Sequence, residues 1–230
     1  MQNLDHALSA ELNQRKLDHL YRKRNSHDGP QTPQLKINGQ TLLAFCSNDY
    51  LGLANHPALI SAAQNACVDY GLGSGASHLV AGHTEVHHEL EEALARLTQR
   101  PRALLFSSGY MANMGVLSSL LDRQDAVYQD RLNHASLLDG GLLSAAKFQR
   151  YRHQDLSDLQ RQLDKTQARR HLVATDAVFS MDGDTALLKP LSQLCCAQQA
   201  WLMIDDAHGF GVLGPDGGGS ALAQGLTTDD

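Results

Sequence analysis

The chain has 230 residues, of which 42% are hydrophobic, which is sufficient for the core of one large or two small globular domains. Its net charge of −6 gives no basic surplus, which argues against nucleic acid or an anionic membrane as a partner. Four cysteines without a C-x-x-C pair indicate free thiols, and the N-terminus lacks the apolar core of a signal peptide. We therefore expect a cytoplasmic protein that acts on small molecules.

The first 45 residues predict a helix followed by a hairpin. Leucines at roughly helical spacing predict an amphipathic helix within residues 3–24, which ends in the basic stretch "YRKR". Asn38-Gly39 lies between two short apolar runs and is a dipeptide typical of a type I′ β-hairpin. We predict an N-terminal segment over residues 1–45 and one larger domain over residues 46–230.

From residue 57 onward, helical and strand-like segments alternate, which predicts an α/β fold with parallel strands joined by right-handed crossovers. Helices are predicted near residues 57–70, 84–99, 110–121, 135–145, 155–168 and 190–199. Strands are predicted at residues 102–107, 126–130, 147–151, 171–179 and 201–206. Ligands of such sheets bind beyond the carboxyl ends of the strands, so the residues that follow each strand are the candidate site.

The spacing of three glycines matches the sequence fingerprint of a dinucleotide-binding site. Gly209, Gly211 and Gly214 have the spacing G-x-G-x-x-G, but that site needs the glycines directly between a strand and a helix. Here "DAH" intervenes and "PDGGG" follows, so the sequence favours a loop. The chain contains no Gly-Lys pair, which excludes the phosphate loop of an ATPase.

Two other catalytic patterns have weak support. His83 and His87 are four residues apart and could bind a metal from one helix face, but a solvated helix start is the better interpretation. Serine hydrolases of the α/β class use the motif G-x-S-x-G, which this sequence does not contain.

A different cofactor fits the strand ends better. In "FSSGYMAN", free N–H groups near Gly109 and Tyr110 and the dipole of the following helix would face a ligand, which makes a candidate phosphate site. Asp205 adds a carboxylate at another strand end, and His134 and His208 add imidazoles. These groups match the needs of pyridoxal phosphate, because a nearby carboxylate favours the protonated pyridine nitrogen. Taken alone, "FSSGYMAN" would be better interpreted as an ordinary strand-to-helix turn, and each histidine is equally consistent with a hydrogen-bonded loop residue.

Six motifs in the same order and spacing resemble the α-oxoamine synthases, a branch of the fold-type-I pyridoxal-phosphate enzymes. They are "FCSNDYLGLANHP", "GLGSGASHLVAGH", "LLFSSGYMAN", "DRLNHASLLDG", "VFSMDGD" and "IDDAHGFGVLG". The resemblance covers nearly the whole chain. It implies a three-layer α/β/α large domain with a mainly parallel sheet, and a homodimer with active sites at the subunit interface.

Within the family, "DDAHG" and "GSGAS" are similar to the branch that condenses L-alanine with a pimeloyl thioester and releases carbon dioxide. The acyl carrier, coenzyme A or acyl carrier protein, stays open. Asp176-Ala177 stands where that branch usually has Glu-Gly, and Ala76 where it usually has Gly. A sister synthase that uses glycine or serine, and a fragment that keeps the fold without turnover, therefore remain alternatives.

The resemblance also implies roles for individual residues. Gly109 and Tyr110 would hold the phosphate by backbone amides, and His134 would stack on the cofactor ring. Asp205 would pair with the pyridine nitrogen. The remaining implied contacts are Ser180 and His208 with the cofactor, and Arg22, Asn48 and His134 with the substrates. His134, Asp205 and His208 are the expected catalytic residues, and no metal is implied.

Enzymes of this family hold the cofactor on a lysine. The chain has six lysines, and none follows the strand that ends in "DDAHG". We therefore expect the lysine, and the small C-terminal domain that closes over the substrate, beyond Asp230. The 230 residues alone are expected to bind the cofactor weakly and without turnover.

Overall fold

The computed structural model describes residues 3–227, which divide into two compact units after Gly71. The first unit begins with helix α1 (Leu4–Leu17), capped by Asn3, whose side chain accepts a hydrogen bond from the Asp5 N–H. The helix ends earlier than predicted, because His19 adopts a φ of 57° and lets the Leu20 N–H close back on the Arg15 carbonyl at 2.8 Å.

A small antiparallel sheet and a second helix complete the first unit. Strands β1 (His27–Asp28), β2 (Gln34–Ile37) and β3 (Gln40–Leu43) are paired in that order. Asn38 and Gly39 have φ values of 51° and 78°, which confirms the predicted turn. Helix α2 (Pro57–Tyr70) has the predicted bounds, because Pro57 suits the first helical turn and Gly71, at a φ of 77°, follows the last.

The second unit contains a four-stranded parallel sheet in the order β5-β4-β6-β7. The unit also contains a π-helical turn at His78–Gly82, ahead of the sheet, and a 3-10 turn at Pro215–Gly217. Its strands are β4 (Ala126–Asp130), β5 (Lys147–Tyr151), β6 (His171–Asp176) and β7 (Trp201–Asp205). Its helices are α3 (Glu85–Leu97), α4 (Gly109–Leu120), α5 (Ala135–Leu143), α6 (Leu156–Lys165), α7 (Leu188–Ala197) and α8 (Ser220–Ala223).

Both faces of the sheet are covered, which gives three layers. Val127 on β4 packs with Leu117 of α4 and Leu137 of α5 on one face. Tyr128, the next residue, points to the other face, where it packs in the cluster of Leu159 on α6 and Leu191 on α7. The predicted α/β/α fold with a parallel sheet is confirmed.

One predicted strand is wrong. Residues 102–107 lead into α4 as expected but form no strand in the described chain. The Leu105 N–H instead donates to the Glu91 side chain, at 3.0 Å from Oε1. An apolar segment becomes a strand only beside a partner, and none of β4–β7 pairs with this one. Among the described helices, none is long and apolar enough to cross a membrane.

Candidate active site

The crevice at the carboxyl ends of the strands opens between β4 and β6. These two strands are neighbours in the sheet but not in sequence, because the chain moves outward to β5 and returns past β4 to β6. The connections that follow β4 and β6 therefore run to opposite faces and leave a crevice between them. A cavity of about 560 Å³ lies beside it, at the ends of β6 and β7 and the starts of α4 and α5. It is lined by Gly109, Tyr110, Ala112, Asn113, His134, Ser136, Asp176, Ser180, Ile204, Asp205, Asp206, Ala207, His208 and Phe210.

The N-terminus of α4 forms one wall. Ser108 caps the helix, its hydroxyl accepting a hydrogen bond from the Met111 N–H at 3.2 Å. The N–H groups of Gly109 and Tyr110 have no partner within the helix because they precede its first hydrogen-bonded turn. The Tyr110 hydroxyl donates to Asp139 of α5, and this hydrogen bond, with the carboxylate charge, raises the Tyr110 pKa. Tyr110 is thus a neutral side chain at the cavity, held to α5.

Asp205, the last residue of β7, lies on the opposite wall. Its Oδ2 accepts a hydrogen bond from Asn113 Nδ2 at 2.6 Å, and its Oδ1 accepts one from the Ala207 N–H at 3.0 Å. The same Asn113 nitrogen lies 2.8 Å from the Ser136 hydroxyl. The bonds from Asn113 and the Ala207 N–H hold the Asp205 carboxylate in one orientation toward the cavity, and Ser136 in turn fixes the Asn113 amide.

His134 is both a cavity residue and the N-cap of α5. Its Nδ1 accepts a hydrogen bond from the Ser136 N–H at 3.3 Å and lies 2.7 Å from the Ser136 hydroxyl. Because Nδ1 accepts from a backbone N–H, the neutral ring carries its proton on Nε2. The ring is edge-on to that of Tyr110, with the centroids 6.1 Å apart.

Asp176 brings a second carboxyl group to the crevice. It is the last residue of β6, is paired in register with Asp205, and its Oδ2 accepts a hydrogen bond from the His134 N–H at 2.7 Å. Burial raises the pKa of the Asp176 carboxyl to about 6, and the charge of Asp205 adds to this while the His134 N–H opposes it. The Asp176 carboxyl can therefore carry a proton at slightly acidic pH.

Two loops close the cavity. Ser180 lies on a hairpin over residues 177–186, the Ser180 hairpin, which is fastened by the Ala186 N–H to the Ala177 carbonyl at 2.9 Å. This hairpin replaces the end of the strand predicted over residues 171–179. His208 lies in the turn after β7, where Phe210 also reaches the cavity.

The glycines after β7 form a loop and do not open a helix, as predicted. A Cβ at Gly209 would lie 2.0 Å from Ser220 Oγ and 2.2 Å from Asp206 Oδ1. Those two groups are bonded to each other at 2.5 Å, and Asp206 Oδ2 accepts from the Ser220 N–H at 2.6 Å. Gly209 is required because any side chain would displace this contact, which anchors α8.

The structure brings together the six residues predicted to bind the cofactor: Gly109, Tyr110, His134, Ser180, Asp205 and His208. Sequence reasoning missed Asn113 and Ser136 and noted Asp176 only as a departure. A signal was available for Asn113, which follows Gly109 by four residues and so shares its helix face. Arg22 and Asn48 are exposed residues of the first unit, and their role in substrate binding stays a prediction.

His87 has a structural role at the start of α3. His87 Nδ1 accepts from the Thr84 N–H at 3.2 Å and caps α3, which is the structural interpretation favoured by the sequence. No group of metal-ligating side chains suited to an ion occurs in residues 3–227.

Residues 40–227 match the family described as aminotransferase class I and II. The chain belongs to this family. Its fold is that of the large domain of fold-type-I pyridoxal-phosphate enzymes, since 99% of the chain superposes on 58% of a serine palmitoyltransferase structure "with PLP internal aldimine" at a TM-score of 0.90 and 30% identity.

Among curated proteins, the chain is 60% identical over 224 residues to the 8-amino-7-oxononanoate synthase of Cellvibrio japonicus, covering 97% of the chain and 56% of that protein. It is 61% identical over 213 residues to the enzyme of the same name from Nitrosomonas europaea, covering 93% of the chain and 55% of that protein. A crystal structure of 8-amino-7-oxononanoate synthase from Francisella tularensis matches 80% of the chain and 50% of its own length, with a TM-score of 0.68 and 35% identity. The chain spans a little over half the length of these curated relatives.

Proposed function

We propose that the chain carries the pyridoxal-phosphate site of an 8-amino-7-oxononanoate synthase, an enzyme of biotin biosynthesis. Its reaction condenses L-alanine with a pimeloyl thioester and releases carbon dioxide and the free thiol. The observation that carries the proposal is the single cavity on which the α4 N-terminus, Asp205, His134 and His208 converge. The 60% identity to a synthase of this name supports the choice within the family.

The cavity fits the cofactor in volume and in polarity. Its volume of about 560 Å³ lies within the usual range for small-molecule sites. Helix N–H groups at Gly109 and Tyr110 suit an anionic phosphate. Asp205, fixed by Asn113 and the Ala207 N–H, suits a cationic pyridinium nitrogen. Between these ends, Ala112, Ile204 and Phe210 offer apolar surface to a ring.

Bound pyridoxal phosphate supplies an electron sink that stabilises negative charge at the α-carbon of an amino acid. In this proposal, Asp205 holds the proton on the pyridine nitrogen, and Asn113 keeps the carboxylate aimed at it. His134 covers one face of the ring, with its orientation set by the capping bond from the Ser136 N–H. Ser180 and His208 bind the polar edge of the cofactor.

Asp176 has a separate role in this proposal. Its carboxyl group, with a pKa of about 6, lies beside Asp205 and is anchored by the His134 N–H. In its protonated form it relieves the repulsion between two adjacent carboxylates, so that Asp205 can remain charged. The resemblance places a glutamate at this position in the related branch, and here the shorter Asp176 accepts a hydrogen bond from the His134 N–H.

The substrates and partners belong to the same proposal. Arg22 and Asn48 are expected to contact the acyl substrate and the amino acid. The acyl group arrives on coenzyme A or on acyl carrier protein, and the working form is a cytoplasmic homodimer. The structure of serine palmitoyltransferase, at 30% identity, favours a second candidate, a sister synthase that uses glycine or serine.

Free thiol release from pimeloyl-CoA tests the reaction and the amino acid together. The protein in its complete form is loaded with cofactor and supplied with L-alanine, glycine or L-serine in turn. We expect thiol release with L-alanine, at least tenfold faster than with the other two. Faster release with glycine or L-serine would establish the sister synthase, and no release with any of them would favour a fold without turnover.

A second experiment concerns the 230 residues by themselves. No lysine lines the cavity within the described residues, so we propose that this part alone binds the cofactor weakly and does not turn over. Borohydride reduction of the cofactor-loaded 230-residue chain, followed by peptide mapping, is expected to label no single lysine. Specific labelling of one lysine together with formation of the amino ketone would contradict this.

A further inference from the structure

His153 lies between two carboxylates outside the cavity. It is the second residue after β5, and its Nδ1 lies 2.9 Å from Asp130 Oδ1 while its Nε2 lies 2.8 Å from Asp184 Oδ2. Its side chain is 30% exposed, whereas that of Asp130 is 1% exposed. Both ring nitrogens thus face acceptors, one of them deeply buried.

This geometry requires an imidazolium. An ionised carboxylate can only accept hydrogen bonds, so each ring nitrogen must carry a proton to bond to its partner. Asp130 already accepts at both oxygens, from the Leu132 N–H at 2.8 Å and the Gln154 N–H at 2.8 Å. Asp184 Oδ2 accepts a further bond from Gln154 Nε2 at 2.5 Å. Neither carboxylate is arranged to donate.

The charged surroundings favour the same state. Burial alone would lower the pKa of His153, but its hydrogen bonds to Asp130 and Asp184, together with their charges, raise it overall. Arg152, the adjacent cation, is directed away and pairs with Asp155 at 2.7 Å and Asp158 at 3.7 Å. The other close neighbour is the uncharged ring of Phe179, edge-on with the centroids 4.5 Å apart.

The two carboxylates belong to two different elements, and each lies close in sequence to a cavity residue. Asp130 ends β4, four residues before His134. Asp184 belongs to the Ser180 hairpin, where its carbonyl accepts from the Phe179 N–H at 2.9 Å and Phe179 accepts from the Gly183 N–H at 2.8 Å. A cation between Asp130 and Asp184 therefore ties the loop that carries Ser180 to the end of the sheet.

We propose that His153 is a positioning residue whose imidazolium clamps the Ser180 hairpin to β4, fixing Ser180 at the cavity, and that loss of its proton at high pH releases the hairpin. Only the contact between Ser180 and the cofactor rests on the proposed function; the clamp itself does not. A group with a raised pKa contributes fully below its unfolded value, about 6.5 for His, and its contribution is lost as pH rises through the folded pKa. The hairpin is therefore held at acidic to neutral pH and loosens at alkaline pH.

The test uses the complete protein and three variants. His153→Gln removes the charge but keeps a side chain of similar size. His171→Gln is the matched control, because His171 bonds to the Tyr128 hydroxyl at 2.8 Å and does not touch the hairpin. Ser180→Ala removes the proposed cofactor contact and leaves the clamp in place. NMR titration of labelled imidazoles gives the pKa of His153 directly in the wild-type protein.

Hydrogen exchange of residues 179–184, corrected for intrinsic rates, measures how often the Ser180 hairpin opens. In the wild type and in His171→Gln, we expect exchange to accelerate at least tenfold as pH rises through the His153 titration. In His153→Gln, exchange of these residues should be fast at every pH and should show no acceleration over the pH range of the wild-type titration. A wild-type His153 pKa at or below about 6.5, or the same step in His153→Gln, would overturn the clamp.

Pyridoxal-phosphate affinity, measured by absorbance, separates the clamp from the proposed function. We expect the wild-type Kd to weaken over the same pH range by severalfold, and this pH dependence to be absent from Ser180→Ala while its hairpin exchange keeps the step. The exchange of the hairpin could accelerate with pH while cofactor affinity changes neither with pH nor in Ser180→Ala. That result would support the clamp and contradict the role of Ser180 in cofactor binding. If His153→Gln fails to fold, the wild-type titration and exchange still decide the proposal.

Discussion

Asn113 donates a hydrogen bond to Asp205 across a distance of 2.6 Å between Nδ2 and Oδ2, although the two residues are 92 positions apart in the chain. The bond joins the first turns of α4 to the end of β7. It therefore couples the proposed phosphate-binding end of the cavity to the carboxylate at its other wall. Removing it should affect ligand binding more than it affects folding.

Asn113→Ala tests that coupling. The substitution leaves Asp205 with the Ala207 N–H as donor and the Ser136 hydroxyl with His134 Nδ1 as neighbour, so it removes one bond to a charged group, worth about 1–3 kcal/mol. In the complete protein, we expect the Kd for pyridoxal phosphate to rise by roughly 5- to 150-fold. Ser118→Ala, on the same helix and bonded only to backbone carbonyls, is the control. A Kd for Asn113→Ala equal to that of the control would contradict the orienting role.

Asp205→Asn separates chemistry from folding. An amide keeps the shape but has a single acceptor oxygen, so it retains one of the two bonds from Asn113 and the Ala207 N–H, and the unfolding midpoint should fall only slightly. A neutral amide does not hold a proton on the pyridine nitrogen, so product formation should fall below detection. Thermal unfolding and thiol release measure the two effects.

Asp206→Ala is the comparison for Asp205→Asn. Asp206 binds the N–H and hydroxyl of Ser220, so we expect its loss to destabilise the protein by about 1–3 kcal/mol. Turnover near normal in Asp205→Asn, or an unchanged unfolding midpoint in Asp206→Ala, would show that these adjacent aspartates have been assigned the wrong roles.

Gly140→Ala should separate α4 from α5. A Cβ at Gly140 would lie 2.9 Å from the Asn113 carbonyl oxygen and 2.9 Å from Leu117 Cδ1. Relief requires the helices to move apart, at a cost of about 1–3 kcal/mol, and this also shifts Asn113. A Cβ at Gly109 meets no atom within 4 Å, so the unfolding midpoint of Gly109→Ala should match the wild type. Equal midpoints for the two variants would refute the close packing.

His171 should make the free energy of unfolding decrease as the pH becomes acidic. Burial lowers the pKa of His171, and Lys147 adds to this. A histidine with a depressed pKa contributes above its unfolded value of about 6.5 and loses that contribution as pH falls through the folded pKa. Between pH 7 and pH 5, the free energy of unfolding should fall more steeply in the wild type than in His171→Gln. Parallel curves in urea titrations would exclude this source of acid sensitivity.

The sequence predicted what depends on local residue order. The helix over residues 57–70 was predicted correctly because a proline and a glycine mark its two ends. The turn at Asn38-Gly39 was predicted correctly because these two residue types adopt the positive φ values that the turn requires. The strand predicted at residues 102–107 was wrong because a strand depends on a partner elsewhere in the chain. Local order likewise says nothing about which side chains meet across the sheet.

The candidate site follows the same division. His134 and Asp205 could be predicted because they follow parallel strands, whose carboxyl ends lie together, and Gly109 because it opens helix α4. Asn113 was missed, because its bond to Asp205 depends on how far α4 lies from β7. The raised pKa of Asp176 is a property of burial and of a charged neighbour, which the sequence does not contain.

The capping bond of His134 fixes the direction in which a guest molecule can bind. Because Nδ1 is occupied by the Ser136 N–H, the neutral ring has its only proton on Nε2, and the cavity offers donors there and at the α4 N-terminus. Its acceptors are gathered at the ends of β6 and β7, on Asp176 and Asp205. A guest with an anionic and a cationic end is therefore favoured in one orientation, and the reversed orientation would bring like charges together at both ends.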